Sequence, residues 1–124
     1  MTLAFVFPGQ GSQSVGMLNA LAEAYPQVQE TFAEASMALG YDLWSIATAG
    51  PEDKLNQTEI TQPAMLSAGV AVWRVWQAQQ GPQPVVMAGH SLGEYTALTC
   101  AGAILFADAV RLVADRGRFM QEAV

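Results

Sequence analysis

The sequence predicts an α/β fold, a parallel sheet flanked by helices, on three observations. The pentad Gly89-His90-Ser91-Leu92-Gly93 matches Gly-x-Ser-x-Gly, and it lies between an apolar run, Pro84 to Ala88, and a helix-forming run, Glu94 to Ala101. A second apolar run, Leu3-Ala4-Phe5-Val6-Phe7, is bounded by Pro8-Gly9, as a central strand buried on both faces of a parallel sheet reads. The stretches between these runs carry apolar residues at helical spacing.

In chain order, the first strand ends in the glycine-rich turn Gly9-Gln10-Gly11-Ser12-Gln13, the end of a strand where open α/β sheets build ligand sites. The turn lacks the lysine of a phosphate-binding loop, so a nucleotide reading is poor and it reads as a source of backbone N–H groups or as a plain solvent turn. Pro26 suits the first turn of a helix that carries Phe32, Ala35 and Leu39 and stops at Gly40. Asp42 to Ala49 reads as a short helix closed by Gly50-Pro51, and Glu52-Asp53-Lys54 as an exposed turn. Thr61-Gln62-Pro63 is expected to start a buried helix, with Thr61 or Gln62 capping, that Gly81-Pro82 ends. From Met65 to Trp76 its apolar residues cover most of the circumference, and Arg74 is the only charge between Thr61 and Gly81. A last helix is expected from about Phe106 to Val124. Residues 1–124 show no linker or repeat and read as one continuous piece of one domain.

The pentad carries the chemistry. A sharp strand-to-helix turn strains the backbone at Ser91 and brings the chain on either side close together, which Gly89 and Gly93 permit. The N–H of Leu92 falls in the first helical turn, where unpaired donors favour negative charge on a substrate oxygen, one half of an oxyanion hole. A tight turn without chemistry could carry the same five residues; the flanking strand and helix favour the nucleophile. A serine needs a base, and the one histidine, His90, is the serine's neighbour and points elsewhere, so it is expected to pack behind the turn as a structural residue. Partners of such a serine follow it in the chain, yet none of the residues after Ser91 is histidine, so the base is absent or the chain is incomplete.

Composition favours incompleteness. The chain is 52% hydrophobic and only 13% charged, against ~25% charged in ordinary domains. The net charge of −6 argues against nucleic acid and anionic membrane surfaces as partners. Arg74 and several glutamines interrupt the longest apolar stretch, which argues against a membrane span. Met1-Thr2-Leu3 carries no basic export signal, so a cytoplasmic setting is expected. Cys100 is the sole cysteine and reads as a small buried residue, and no His, Cys or carboxylate spacing suggests a metal.

Four ordered motifs, Phe7-Pro8-Gly9-Gln10-Gly11-Ser12-Gln13, Thr61-Gln62-Pro63-Ala64, Gly89-His90-Ser91-Leu92-Gly93-Glu94 and Arg116-Gly117, resemble the malonyl-CoA:acyl carrier protein transacylases, over the N-terminal portion of that family only. The resemblance implies an α/β-hydrolase-like sheet, of which this chain is the N-terminal part of the large subdomain. It implies that Ser91 takes malonyl from coenzyme A as an ester and yields it to the phosphopantetheine thiol of acyl carrier protein, in fatty-acid synthesis, with no cofactor besides the thioester substrate. It assigns the oxyanion hole to the N–H groups of Gln10 and Leu92 and the malonyl clamp to Arg116, whose fork matches a free carboxylate. Gln62 resembles a residue lining the site, or serves only as a cap. The family's histidine lies beyond Val124, so the remainder of the catalytic domain is an expected partner and the chain alone is expected to be nearly inactive. Two alternatives remain: an α/β serine hydrolase that admits water, and a non-catalytic fragment with apolar surface exposed around Trp73 and Trp76. A basic patch for the acidic carrier protein is expected from Arg74, Arg111 and Arg118, or from outside the chain.

Overall fold

The structure, a computed structural model, describes residues 3–123. The expected end of the last helix at Val124 and the start at Met1-Thr2 lie outside the described residues. Two strands, β1 (Ala4–Phe7) and β2 (Val86–Gly89), and seven helices are described: α1 (Asn19–Ala24), α2 (Pro26–Leu39), α3 (Leu43–Ala49), α4 (Glu52–Leu55), α5 (Thr58–Ala78), α6 (Leu92–Cys100) and α7 (Phe106–Glu122). The strands pair in parallel, Ala4 with Val86 through Phe7 with Gly89.

Helix ends follow their local chemistry. Pro26 stands in the first turn of α2, and Gly40 ends it at φ 83°, a left-handed position that costs glycine little. Asp42 caps α3, accepting from the Ser45 N–H at 3.1 Å. Glu52-Asp53-Lys54 forms the first three residues of α4 and not a simple turn; two carboxylates in its first turn suit the positive end of the helix.

The buried helix starts three residues before the expected site. Thr58 is its first residue, Thr61 and Gln62 lie fully buried inside it, and Pro63 is internal, so neither Thr61 nor Gln62 is a cap. The Thr61 hydroxyl donates back to the carbonyls of Leu55 and Gln57, tying the entry of α5 to α4. Tertiary packing then holds a first turn that local signals miss: a Cβ on Gly117 of α7 would stand 2.6 Å from the Thr58 carbonyl oxygen. Glycine at 117 is what allows α7 to lie directly on the start of α5.

Helix α5 is the centre of the molecule, packed by α2, α6 and α7. Leu66, Phe32, Leu43, Leu55, Leu92, Val110 and Val113 are fully buried in one core. Burying each such side chain contributes roughly 1.5–3 kcal/mol. Arg74, the one charge in the apolar stretch, reaches out to Glu34 at 2.8 Å and lies over the Phe106 ring. Its charge therefore ends at the surface while its stem covers the core.

The sheet is covered on one face only, which corrects the expectation for β1. Phe5 and Phe7 face the helices, Phe5 meeting Trp73 and Trp76 edge-on at 5.2 and 5.4 Å. Val6 on the other face is 74% exposed and Val86 53%. With two strands and one helical layer, nothing among the described residues covers that second face. Trp73, by contrast, is buried, and Trp76 is half-buried with its indole N–H on the Pro82 carbonyl. Exposed apolar residues thus include the open sheet face, and the tryptophans are not the exposed part. Among the described residues, no helix is long and apolar enough to cross a membrane.

Candidate active site

Three backbones meet at Ser91. Its φ of 57° and ψ of −115° are strained for any residue with a side chain, and it stands as the cap of α6 between β2 and the helix. The strain is held by contact: a Cβ on Gly89 would stand 1.9 Å from the Gly93 carbonyl, and a Cβ on Gly93 2.1 Å from the Phe7 carbonyl oxygen. The two glycines therefore let strand, helix and β1 interlock. The turn after β1 passes over the same point, since a Cβ on Gly9 would lie 2.8 Å from the His90 carbonyl oxygen and 3.7 Å from Ser91 Cβ.

Gln10 follows Gly9 in this turn. Its side chain donates to Thr58 Oγ1 at 3.2 Å, which anchors the turn to the start of α5. At the helix end, Gly93 N–H donates to the His90 carbonyl and Glu94 N–H to the Ser91 carbonyl. The N–H groups of Leu92 and Gln10 take no partner among the described residues. Backbone donors without a partner are the kind of group that a developing oxyanion needs.

Arg116 joins them from α7. One guanidinium nitrogen donates to Ser91 Oγ at 3.1 Å and the other to Gln62 Oε1 at 2.8 Å, while its carbon lies 5.4 Å from the centre of the Tyr95 ring. Neighbouring Asp115 is occupied by Arg118 at 3.3 Å, so among the described residues Arg116 has no carboxylate partner. Arg74 and Arg111 are likewise paired, with Glu34 and Asp108, so the three arginines expected to form a carrier-docking patch are each partly neutralised by an acidic neighbour. Gln62 is fully buried and its Nε2 donates to Met120 Sδ at 3.2 Å.

His90 departs from its expected place. It is exposed, and what it gives the turn is backbone: its N–H reaches the Phe7 carbonyl at 3.4 Å and its carbonyl accepts from Gly93. Tyr95, Met120 and Thr58 escaped the sequence reading. The first two were findable, since Tyr95 follows Ser91 and Met120 follows Arg116 by four residues, on the same helix face.

Strand, strained serine turn and helix N-terminus define the α/β class of proteins in which a parallel strand presents a serine at the end of a sheet. The chain belongs to the acyl transferase domain family, whose model matches residues 4–124. A malonyl CoA-acyl carrier protein transacylase of Salmonella typhimurium is 70% identical over 121 residues, 98% of this chain and 39% of the relative. An acyl carrier protein S-malonyltransferase of Vibrio cholerae superposes with a TM-score of 0.98 at 61% identity, over 100% of this chain and 40% of that one. A malonyl-transacylase solved in complex with its type II PKS acyl-carrier protein gives 0.98 at 62% identity, again over 100% and 40%. The chain thus spans about two fifths of the length of the relatives it matches.

Proposed function

We propose that Ser91 is the nucleophile of a malonyl transfer from coenzyme A to the phosphopantetheine thiol of acyl carrier protein, a step of fatty-acid synthesis. The observation that carries the reading is Arg116: a cation without a carboxylate partner among the described residues, 3.1 Å from the serine oxygen. A malonyl group ends in a carboxylate beyond its thioester carbonyl, so a guanidinium at the nucleophile selects that group over an acetyl. The names of the relatives support the same donor and acceptor.

In the first half-reaction Ser91 Oγ attacks the thioester carbonyl carbon, and the oxygen that takes up negative charge sits on the N–H groups of Gln10 and Leu92. The C–S bond breaks, coenzyme A leaves as the thiol with the serine proton, and the malonyl ester remains. The carrier thiol then attacks that ester, losing its proton as Ser91 regains one. The chemistry needs no cofactor beyond the thioester. His90 does not touch Ser91 Oγ, so we assign the proton acceptor to the remainder of the catalytic domain, acting as a partner of these 124 residues.

The test is the intact mass of the chain before and after malonyl-CoA, with acetyl-CoA and Ser91→Ala as controls. The reading expects a slow, single malonyl adduct that Ser91→Ala abolishes and that carrier thiol removes. An adduct that survives Ser91→Ala would sink it, and one discharged by water as fast as by the carrier would favour a hydrolase.

A further inference from the structure

Gln62 is the least explained polar group at the site. It is fully buried on α5, its oxygen faces the Arg116 guanidinium at 2.8 Å, and its nitrogen faces the Met120 thioether at 3.2 Å. An amide has two unlike ends, and burial forces each to find a complement. A thioether sulfur can only accept, so Met120 takes the NH2 end and leaves the oxygen for Arg116. With that orientation, one edge of the guanidinium is held by a neutral acceptor and its other nitrogen reaches Ser91.

The neutrality matters. A half-buried arginine needs an acceptor to stay ordered, and aspartate or glutamate would supply the tightest one. Such a carboxylate would also compensate the charge and leave little attraction for an incoming anion. An amide oxygen satisfies one N–H and keeps the full positive charge directed at the serine. Asp115, the nearest carboxylate in sequence, is turned away onto Arg118.

We propose that Gln62 is a positioning residue for Arg116, its amide oriented by Met120, and that this neutral brace sets the preference for acyl groups ending in a carboxylate. The inference rests on the reading of Arg116 as the acyl clamp. It predicts that the brace acts on carboxylate-bearing donors alone: Gln62→Glu supplies an internal anion that competes with the substrate, Gln62→Met replaces the amide oxygen by a much weaker thioether acceptor without adding charge, and Met120→Leu removes the acceptor that holds the amide's NH2 end.

The experiment is calorimetric binding of malonyl-CoA and of acetyl-CoA to the 124-residue chain, its Arg116→Ala variant and these three variants, each checked for a cooperative thermal transition. The wild-type chain is expected to prefer malonyl-CoA. Gln62→Glu should lose malonyl-CoA affinity by about tenfold or more, as a charge-assisted pair is lost, with acetyl-CoA unchanged. Gln62→Met should lose less, and Met120→Leu should shift the ratio in the same direction. If Gln62→Glu does not fold, Gln62→Met and Met120→Leu carry the same test. A preference lost in Arg116→Ala but intact in the Gln62 and Met120 variants overturns the brace and leaves the clamp standing. Equal binding of both donors to wild type, or binding of neither, overturns the clamp and the brace together. Parallel losses for both donors in the Gln62 variants would show a merely structural residue and overturn the proposal.

Discussion

Gly117→Ala sets two effects of opposite sign against each other. Replacing a glycine within a helix by alanine stabilises it by about 1 kcal/mol in an exposed setting. Here the new methyl carbon would stand 2.6 Å from Thr58 O, 2.8 Å from Glu59 Cα and 2.9 Å from Thr58 C, where ordinary contacts begin at 3.4 Å. All three neighbours are backbone, so no side chain can rotate aside and α7 must withdraw from α5 by up to about 0.8 Å. Overpacking of this kind costs roughly 1–3 kcal/mol, and a clash with rigid backbone falls at the upper end. The clash therefore wins, by about 2 kcal/mol, which for a chain of this size lowers the thermal midpoint by roughly 6–12 °C. The displacement also carries Arg116 away from Gln62, so malonyl-CoA binding should weaken while acetyl-CoA binding holds. Circular dichroism melting at neutral pH measures the first effect. An unchanged or raised midpoint would refute the claim that α7 rests directly on the start of α5.

Three further outcomes follow from burial and charge. Burial pushes the Cys100 thiol up from 9.0 to about 12, with Arg74 pulling weakly the other way; the loss of thiolate, partly offset by its greater intrinsic nucleophilicity, should slow alkylation at pH 8 about fiftyfold relative to a free thiol, and a rate near the free-thiol value would contradict it. Tyr41 is pushed up to about 12, by burial first and by Glu59 second, from 10.0. Its folded value exceeds its unfolded one, so its contribution is complete below pH 10 and is lost as pH rises toward 12. Urea midpoints should fall over that range, and Tyr41→Phe should flatten the fall. The open sheet face, with Val6 at 74% and Val86 at 53% exposure, should bind apolar dye and promote self-association; sedimentation should find Val86→Lys less associated, and an equally associated variant would place the sticky surface elsewhere.

The serine turn was legible because its demands fall on backbone, and glycine at fixed offsets is how a sequence records close approach. Gly89, Gly93 and Gly117 each sit where a methyl group would strike a carbonyl, and for the first two the pentad itself points to that contact. The start of α5 was not legible. A proline near a helix start reads as the first turn, but Pro63 stands in the second, and what holds the turn before it is α7, more than fifty residues away. The misreading of β1 has the same origin: an apolar run reports what a strand can tolerate on each face, whereas covering depends on other layers. The arginines show a third limit. Composition counts five cations, but only geometry finds that Arg74, Arg111 and Arg118 each sit beside a carboxylate and that Arg116, among the described residues, does not.

The pairing of Phe7 with Gly89 has a kinetic side. Strand β1 joins a partner some eighty residues later, and α2 reaches α7 over a similar separation, but of the two only β1 lies at the edge of the packed helices with one face open. Closing so long a loop is unfavourable until β2 and α6 are already in place to receive it. Gly9 and Gln10 follow the end of β1, so the serine turn should form before the turn that carries them. Brief local opening should run the sequence backwards, peeling β1 away while α5 and α7 stay packed. Amide exchange can read this directly: the β1 amides should exchange well before those of Val110 and Val113, and simultaneous exchange would show one indivisible unit. A site built this way parts with the Gln10 N–H before it loses its serine, while the Leu92 N–H stays beside it.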